Sequence, residues 1–408
     1  MRRSDIIIVG AGHAGAQVAV GLRQRNFAGS ILMVGEEADP PYERPPLSKD
    51  YLAGEKVFDR LLLRPPAFWV ERRVELSLGA RILAVDPVRH QVTADNGEVL
   101  EYGTLIWAAG GHARRLSCPG HDLSGIHTIR TRTDVDRLRA GLPGVENVVV
   151  IGGGYIGLEA AAAMVKAGKQ VTLLEAQDRV LSRVAGEPLS RFYESEHRAR
   201  GVKLRLGVAV AALRDRDGRV SAVELADGTV AQADMVIAGI GITPAVGPLT
   251  AAGALGSDGV SVDALCRTSL PDIHAIGDCA AQATPFAGGA CVRIESVQNA
   301  MEQAAIVARH LMGEPPAHVG VPTFWSNQYD LRLQTVGLCL GHDHMVVRGE
   351  PATRSFSVIY LREGRVIALD CVNAMRDFVQ GKVLVNARVM ASPGRLADAG
   401  IPLKGLEM

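Results

Sequence analysis

Two stretches of the chain share one pattern of apolar and polar positions. Asp5-Ile-Ile-Ile-Val9 is an unbroken apolar run, which predicts a strand buried on both faces. A glycine-rich turn, Gly10 to Gly15, follows it, then an Ala/Val-rich helix ending near Arg25. Ser30 to Val34 is a second buried strand, closed by the acids Glu36 and Glu37. The same order returns at 147–175. Val148-Val-Val-Ile151 is the strand, Gly152 to Gly157 the turn and Ile156 to Ala167 the helix, with Gly168 placed to end it. Val171 to Leu174 then closes on Glu175. A whole strand–helix–strand unit is therefore repeated, which predicts two nucleotide-sized modules in one chain.

Shorter signals fill the rest. Asp95-Asn-Gly97, Asp217-Gly218 and Asp227-Gly228 sit between alternating apolar residues and predict hairpin turns. Ile273 to Ile276 predicts a third buried strand, ending at Gly277-Asp278. A helix is expected from Ser296 to Met312, with Val297, Met301, Ala304, Ala308 and Leu311 on its inner face. Glu314-Pro-Pro316 reads as a linker. Beyond it, Phe356–Leu361, Glu363-Gly364 and Val366–Val372 predict antiparallel hairpins in a separate α+β domain. The expected fold class is α/β: two Rossmann-like dinucleotide-binding domains plus a C-terminal α+β domain. The expected domains are residues 1–112 with 236–316, residues 113–235, and residues 317–408.

Composition narrows the function. Lys+Arg and Asp+Glu both number 44, so the formal net charge is zero, which argues against nucleic acid or an anionic membrane as partner. Aromatic residues are 4%, too few for a base-stacking surface. Met235 to Ser257 lacks charges but is broken by Pro244 and Pro248, so a buried strand and loop is expected there, not a membrane span. Six cysteines form no C-x-x-C pair, which predicts free thiols in a cytoplasmic protein. Met1-Arg-Arg3 has no apolar core behind it, so no export signal is expected. His342-Asp-His344 lies in a Gly-flanked turn, and no metal site is expected.

Gly10-Ala-Gly12-His-Ala-Gly15 and Gly152-Gly-Gly154-Tyr-Ile-Gly157 both fit G-x-G-x-x-G. With 45 glycines in 408 residues, roughly 0.5 such matches arise by chance, so the pattern alone decides nothing. Context decides. Each copy follows a buried strand, opens a helix, and has an acid at the end of the next strand about 20 residues on. The first glycine permits the turn, the second lets a pyrophosphate touch backbone N–H groups, and the third lets helix and strand pack closely. Glu36 and Glu175 are placed to accept ribose hydroxyls. A carboxylate about 5 Å from a 2′-phosphate costs roughly 3 kcal/mol at an effective dielectric of about 20, so Glu175 favours NADH over NADPH. Arg179 and Arg183, nearby in sequence, are candidates to soften that preference.

Five further blocks carry a resemblance: Tyr42-Glu-Arg-Pro-Pro-Leu-Ser-Lys49, the second glycine motif running into Gly157-Leu-Glu159-Ala, Ile276-Gly-Asp278, Arg293-Ile-Glu-Ser-Val-Gln-Asn299, and Phe324-Trp-Ser-Asn-Gln-Tyr329. From Asp5 to about Leu403 the chain resembles the FAD-dependent, NADH-dependent ferredoxin reductases that serve bacterial oxygenases, within the glutathione-reductase-like flavoproteins. The resemblance implies FAD and NADH as cofactors, and a two-iron ferredoxin as partner, which in turn supplies a monooxygenase or dioxygenase. It implies that Gly10, Gly12, Ala14 and Gly15 hold the FAD pyrophosphate, with Glu36 on its ribose and Glu37 in the same site. Ile82 meets the adenine through its backbone. Ala109, Gly110, Arg130, Asp278 and Glu295 complete the FAD site, with Arg44 and Lys49 beside the flavin and the Val297 N–H on its carbonyl. It implies catalytic roles for Lys49, Glu159 and Trp325. It gives the NAD side to Gly152, Gly154, Tyr155, Ile156, Gly157, Glu159, Glu175, Arg183 and Gly241.

Four positions depart from the family pattern. Trp107-Ala-Ala109-Gly110 lacks a hydroxyl, Ala245 stands for Asn, Thr323 for an aromatic and Asn327 for Asp. Pro40 to Asp50 contains no cysteine, which excludes disulfide reductases and single-Cys peroxidases of the same class. Two alternatives remain on sequence alone: a flavoprotein reducing a small acceptor such as a quinone or oxygen, and a redox-sensing scaffold. Arg332, Arg348 and Arg354 are candidates for meeting an acidic ferredoxin.

Overall fold

The computed structural model describes residues 2–315 and 319–406. Pro316, the end of the expected linker, and the expected boundary at 316/317 lie outside the described residues. The chain separates into two compact units. The first comprises residues 2–43, 58–112 and 243–322, and the second residues 44–57, 113–242 and 323–406.

In the first unit, strand Arg2–Val9 lies between two parallel neighbours, Ile31–Gly35 and Val99–Trp107. Val74–Leu78 extends one side and Ile273–Ala275 the other, both parallel, while Gln91–Ala94 and Ile82–Asp86 add an antiparallel meander. The unbroken apolar run has a plain cause. Ile6 and Ile8 enter a core with Ala16, Ala19 and Ala304, whereas Ile7 and Val9 enter a second core with Leu32, Leu105 and Trp107. Each fully buried isoleucine contributes about 1.5–3 kcal/mol by leaving water.

The helix His13–Gln24 packs on Val297–Leu311 through small residues, and a Cβ on Gly21 would stand 3.1 Å from the Ala308 methyl. That spacing corrects the expected inner face of the later helix. Ala300, Ala304, Val307 and Ala308 are buried, while Met301 is exposed. Two helices this close admit only small side chains between them, so methionine is displaced to the rim.

In the second unit, five parallel strands run Lys203–Arg205, Gln170–Leu174, Asn147–Ile151, Met235–Ala238 and Ile126–His127. An antiparallel meander, Val210–Arg216, Arg219–Leu225 and Val230–Gln232, turns at the two expected Asp-Gly pairs. The C-terminal sheet orders Thr323–Gln328, Leu331–Gly337, Arg365–Val372, Ser355–Arg362 and His344–Glu350, all antiparallel. Among the described residues, no helix is long and apolar enough to cross a membrane. All six cysteines are free.

The C-terminal sheet buries a carboxyl. Asp370 is 4% exposed and accepts a hydrogen bond from the Tyr360 hydroxyl (2.5 Å), which itself accepts the Gly186 N–H. Burial pushes Asp370 up to about 7, against a partial opposing pull from the Tyr360 bond. Its pKa is raised on folding, so its contribution is most favourable below the ordinary carboxyl range and is lost as pH rises through about 7. Asp370→Asn keeps the acceptor for Tyr360 and removes the charge. Its melting temperature should exceed that of the wild type by a few degrees more at pH 8 than at pH 5. A gap independent of pH in scanning calorimetry refutes this.

Candidate functional site

Each glycine motif opens a twelve-residue helix with no side-chain cap. The N-cap residues are Gly12 for His13–Gln24 and Gly154 for Tyr155–Lys166. No N-cap side chain takes the first N–H groups of either helix, which lie at the end of the macrodipole that favours anions. The outer glycines are demanded by the fold. A Cβ on Gly15 would sit 1.9 Å from the Gly10 carbonyl oxygen, and one on Gly157 1.9 Å from that of Gly152. Gly10 and Gly152 have φ of +112° and +107°. Gly154 differs: a Cβ there meets nothing of the protein within 4 Å. Packing does not require this glycine, and the open space above uncapped N–H groups fits a pyrophosphate.

The acids lie where expected. Glu175 closes the second module, its Oε2 accepting the Gly153 N–H (2.5 Å) and its Oε1 the Gln177 N–H (2.8 Å). Two backbone donors hold the carboxylate beside the glycine loop. Arg179, named as a softening charge, is instead bound to Ala185 O, Ser182 O and Ser190 Oγ. Burial of that guanidinium face orders the loop, so of the two arginines Arg183 is the exposed one. In the first module Glu36 is exposed, 3.9 Å from both Arg81 and His112. Glu37 accepts the Tyr42 hydroxyl (2.6 Å).

The remaining positions assigned to the first unit sit along its strand ends. Ile82 is buried at the start of its strand, and Gly110 turns at φ +64°. The departures at 109 and 245 are neighbours: Ala245 N–H donates to Gly110 O, and Ala245 O accepts the Trp107 indole. Asp278 lies in the turn Gly277–Cys279, its carbonyl held by Arg293, which also pairs with Glu295. Val297 begins its helix, and the Ser296 hydroxyl caps Asn299 N–H, not Val297 N–H.

The second unit gathers a buried ion pair. Lys49 Nζ lies 2.6 Å from Glu159 Oε2, and Glu159 is 3% exposed. Glu159 also accepts Ser48 Oγ on Oε2 (2.5 Å) and Ser326 Oγ on Oε1 (2.6 Å). Two stretches far apart in sequence, 48–49 and 326, therefore converge on one carboxylate. Arg44 donates to Arg130 O (2.8 Å), and Arg130 N–H to Asp134, inside the capping box that starts helix Arg132–Gly141. Tyr155 packs on Phe324, with ring centroids 4.5 Å apart, and burial holds its phenol well above the usual range. Ile156 and Trp325 are exposed, and Gly241 turns at φ +94° with its carbonyl on Arg114 N–H.

Arg348 is a correction. It is 4% exposed, paired with Asp377 and donating to Leu396, Asp398 and Ile401 carbonyls, so it ties the C-terminal segment down and is not a docking charge. Arg354 is paired with Asp330 and Glu196, and Arg332 is exposed. Ser48, Ser326, Gln328 and His197 were missed as site residues. Three of them lie inside quoted blocks, but nothing in a serine or glutamine announces a carboxylate far away in sequence. Burial pushes the thiols of Cys266 and Cys371 up to about 12 and of Cys279 to about 11, so none is poised as a nucleophile.

Two helices that open on glycine turns without a side-chain cap, each module closed by an acid, define a protein built for two dinucleotides. Comparison with known proteins agrees. Residues 4–304 match the pyridine nucleotide-disulphide oxidoreductase family, and residues 323–407 the reductase C-terminal family. The chain is 58% identical over 407 residues to the 5,5'-dehydrodivanillate O-demethylase ferredoxin reductase subunit of Sphingobium sp. (strain NBRC 103272 / SYK-6), covering 100% of this chain and 99% of that one. It is 41% identical over 405 residues to putidaredoxin reductase of Pseudomonas putida, covering 98% and 96%. The solved covalent putidaredoxin reductase–putidaredoxin complex superposes with a TM-score of 0.95 at 40% identity, over 100% of this chain and 98% of that one. The chain belongs to the pyridine nucleotide-disulphide oxidoreductases and, within them, to the ferredoxin reductases.

The glycines separate binding from folding. Gly154→Ala should melt like the wild type yet bind NADH about tenfold more weakly. Gly157→Ala should lose about 2 kcal/mol or more of stability, because the helix must shift. Equal losses of melting temperature in the two variants would contradict this assignment.

Proposed function

We propose that this protein is a cytoplasmic flavoenzyme that moves electrons from NADH through FAD to a two-iron ferredoxin, which supplies a bacterial monooxygenase or dioxygenase. The observation that carries the reading is the pairing of two uncapped glycine-turn helices in one chain that also buries a Lys–Glu pair and places no thiol in Pro40–Asp50. That set suits electron transfer and not disulfide chemistry.

Bound FAD would supply the redox chemistry, two-electron uptake from NADH and one-electron release to the ferredoxin. The chain's own residues position and bias that chemistry. The N–H groups after Gly12 hold the FAD pyrophosphate, with Glu36 on the ribose. Ile82, Gly110 and Asp278 belong to the same cofactor's site, as do Arg44 and Arg130. The N–H groups after Gly154 hold the NADH pyrophosphate. Glu175, fixed by two backbone donors, accepts the NADH ribose and repels a 2′-phosphate. Lys49 carries a full positive charge to the flavin, and Glu159 keeps its amine in place. Trp325, exposed on the C-terminal sheet, would serve the same cofactor, and that sheet we take as a third domain beginning near residue 317.

Three measurements test this. The purified protein should be yellow and should reduce a two-iron ferredoxin from the same source with NADH; turnover with a small dye alone refutes the ferredoxin reading. In stopped flow, Lys49→Ala should slow flavin reduction by about tenfold or more with FAD still bound, and a normal rate removes its role. Glu175→Ala should narrow the preference for NADH over NADPH by up to about two decades. An unchanged ratio shows that selection lies elsewhere.

A further inference from the structure

The block Phe324–Tyr329 gave only Trp325 a role, yet its alternation puts other side chains inside. Trp325 and Asn327 face out, while Ser326 and Gln328 are 0% and 1% exposed. Ser326 Oγ donates to Glu159 Oε1 (2.6 Å), and Gln328 Nε2 donates to Ser326 Oγ (3.2 Å). Gln328 Oε1 lies 2.9 Å from His197 Nε2, and His197 Nδ1 lies 3.0 Å from the Tyr329 hydroxyl. An amide oxygen only accepts, so His197 Nε2 carries the hydrogen. His197 is fully buried, and burial holds its pKa down at about 4, against the bond to Gln328. The ring is therefore neutral, and its bare Nδ1 accepts from Tyr329.

Every hydrogen in this line points the same way: Tyr329 to His197, His197 to Gln328, Gln328 to Ser326, Ser326 to Glu159. Such a line polarises itself and ends on the one group able to absorb its direction, a carboxylate. It does not conduct protons, because an amide stands in the middle. The other oxygen, Oε2, is taken by Ser48 and Lys49. The charged and titratable groups around the two ends are Lys49, Tyr155 and Tyr193 at Glu159, and Arg200, Glu196 and Tyr329 at His197.

We propose that Ser326, Gln328, His197 and Tyr329 are positioning residues for the Lys49–Glu159 pair: a one-way line of hydrogen bonds that occupies one carboxylate oxygen and leaves the other to Lys49 and Ser48. The proposal rests on the reading that Lys49 serves flavin reduction, but its first test does not. In FAD-loaded full-length protein with 15N-labelled histidine, the His197 ring, identified by its loss in His197→Gln, should show the Nε2–H tautomer unchanged from pH 5.5 to 8.5. The Nδ1–H tautomer, or a ring that titrates in that range, overturns the line. Tyr329→Phe, at the half-buried end, removes only the last donor: the Nε2–H tautomer, still held by Gln328 Oε1, should persist while the Nδ1 resonance moves, and an unmoved Nδ1 resonance overturns the Tyr329 bond.

The functional test uses polarity. Gln328→Glu keeps the shape but makes both ends acceptors, so the Ser326 hydrogen turns away from Glu159. Gln328→Glu and Ser326→Ala should each slow stopped-flow flavin reduction about tenfold with the NADH dissociation constant within about twofold of wild type, and Ser326→Thr should restore the rate. Wild-type rates in Gln328→Glu and Ser326→Ala overturn the positioning role even where the tautomer is as stated. Should Lys49→Ala reduce its flavin normally, it is the role of Lys49 that falls, and the tautomer is unaffected.

Discussion

A missing Cβ sets the geometry on which the nucleotide-binding design depends. In both modules the third glycine of the motif lies under the first, so close that a methyl would stand 1.9 Å from a carbonyl oxygen. The first glycine is pressed just as hard from the far side: a Cβ on Gly10 would reach the Ala108 oxygen at 2.2 Å, and one on Gly152 the Gly239 oxygen at 2.4 Å. The outgoing turn, the helix start and the exit of the neighbouring strand thus meet at one point. That point is where the strand order changes direction, the place at which open α/β sheets bind ligands. The helix N-terminus cannot be set back from it without losing the alignment of its first N–H groups.

A second constraint acts through charge. Glu159 is almost wholly buried, and a carboxylate in that position is costly unless its oxygens are answered. It stands on helix Tyr155–Lys166 of the parallel-sheet module, and its partners come from residues 48–49 and from the first strand of the C-terminal sheet. This explains why residues 44–57 group with the second unit although the sequence reads them as part of the first nucleotide domain. Removing one partner leaves a buried charge less than fully paired, which is more harmful than never having had the pair.

The parts that were legible in the sequence are those fixed by local rules. Strands buried on both faces read as Ile-Ile-Ile-Val and Val-Val-Val-Ile, and Asp-Gly pairs marked the hairpins, because those residues answer to their immediate backbone. The acids at 36 and 175 were legible because they follow a strand at a set distance from a glycine turn. What escaped depends on distant packing. Met301 and Ala300 are one residue apart, and only the small residues of the facing helix decide which one is buried. Arg348 resembles a surface charge until the backbone carbonyls of Leu396, Asp398, Ala399 and Ile401 close over it. The direction of the hydrogen bonds behind Ser326 is invisible in sequence, since a serine donates or accepts equally well.

Zero net charge and a redox cofactor make an instructive pair. With no overall field to speak of, this chain biases its chemistry through oriented dipoles and single charges held in place. The third helix start shows the scale. Ser296 takes the Asn299 N–H and leaves the Val297 N–H uncapped, so the helix end retains a partial positive charge worth about 1 kcal/mol to a nearby anion. For a two-electron couple that is roughly 20 mV, enough to adjust a potential and too little to set it. A full charge on Lys49 is the larger lever, and a lever that size must not wander. On the proposed function, the value of Glu159 therefore lies less in its own charge than in the precision with which Ser48 and Ser326 divide its two oxygens.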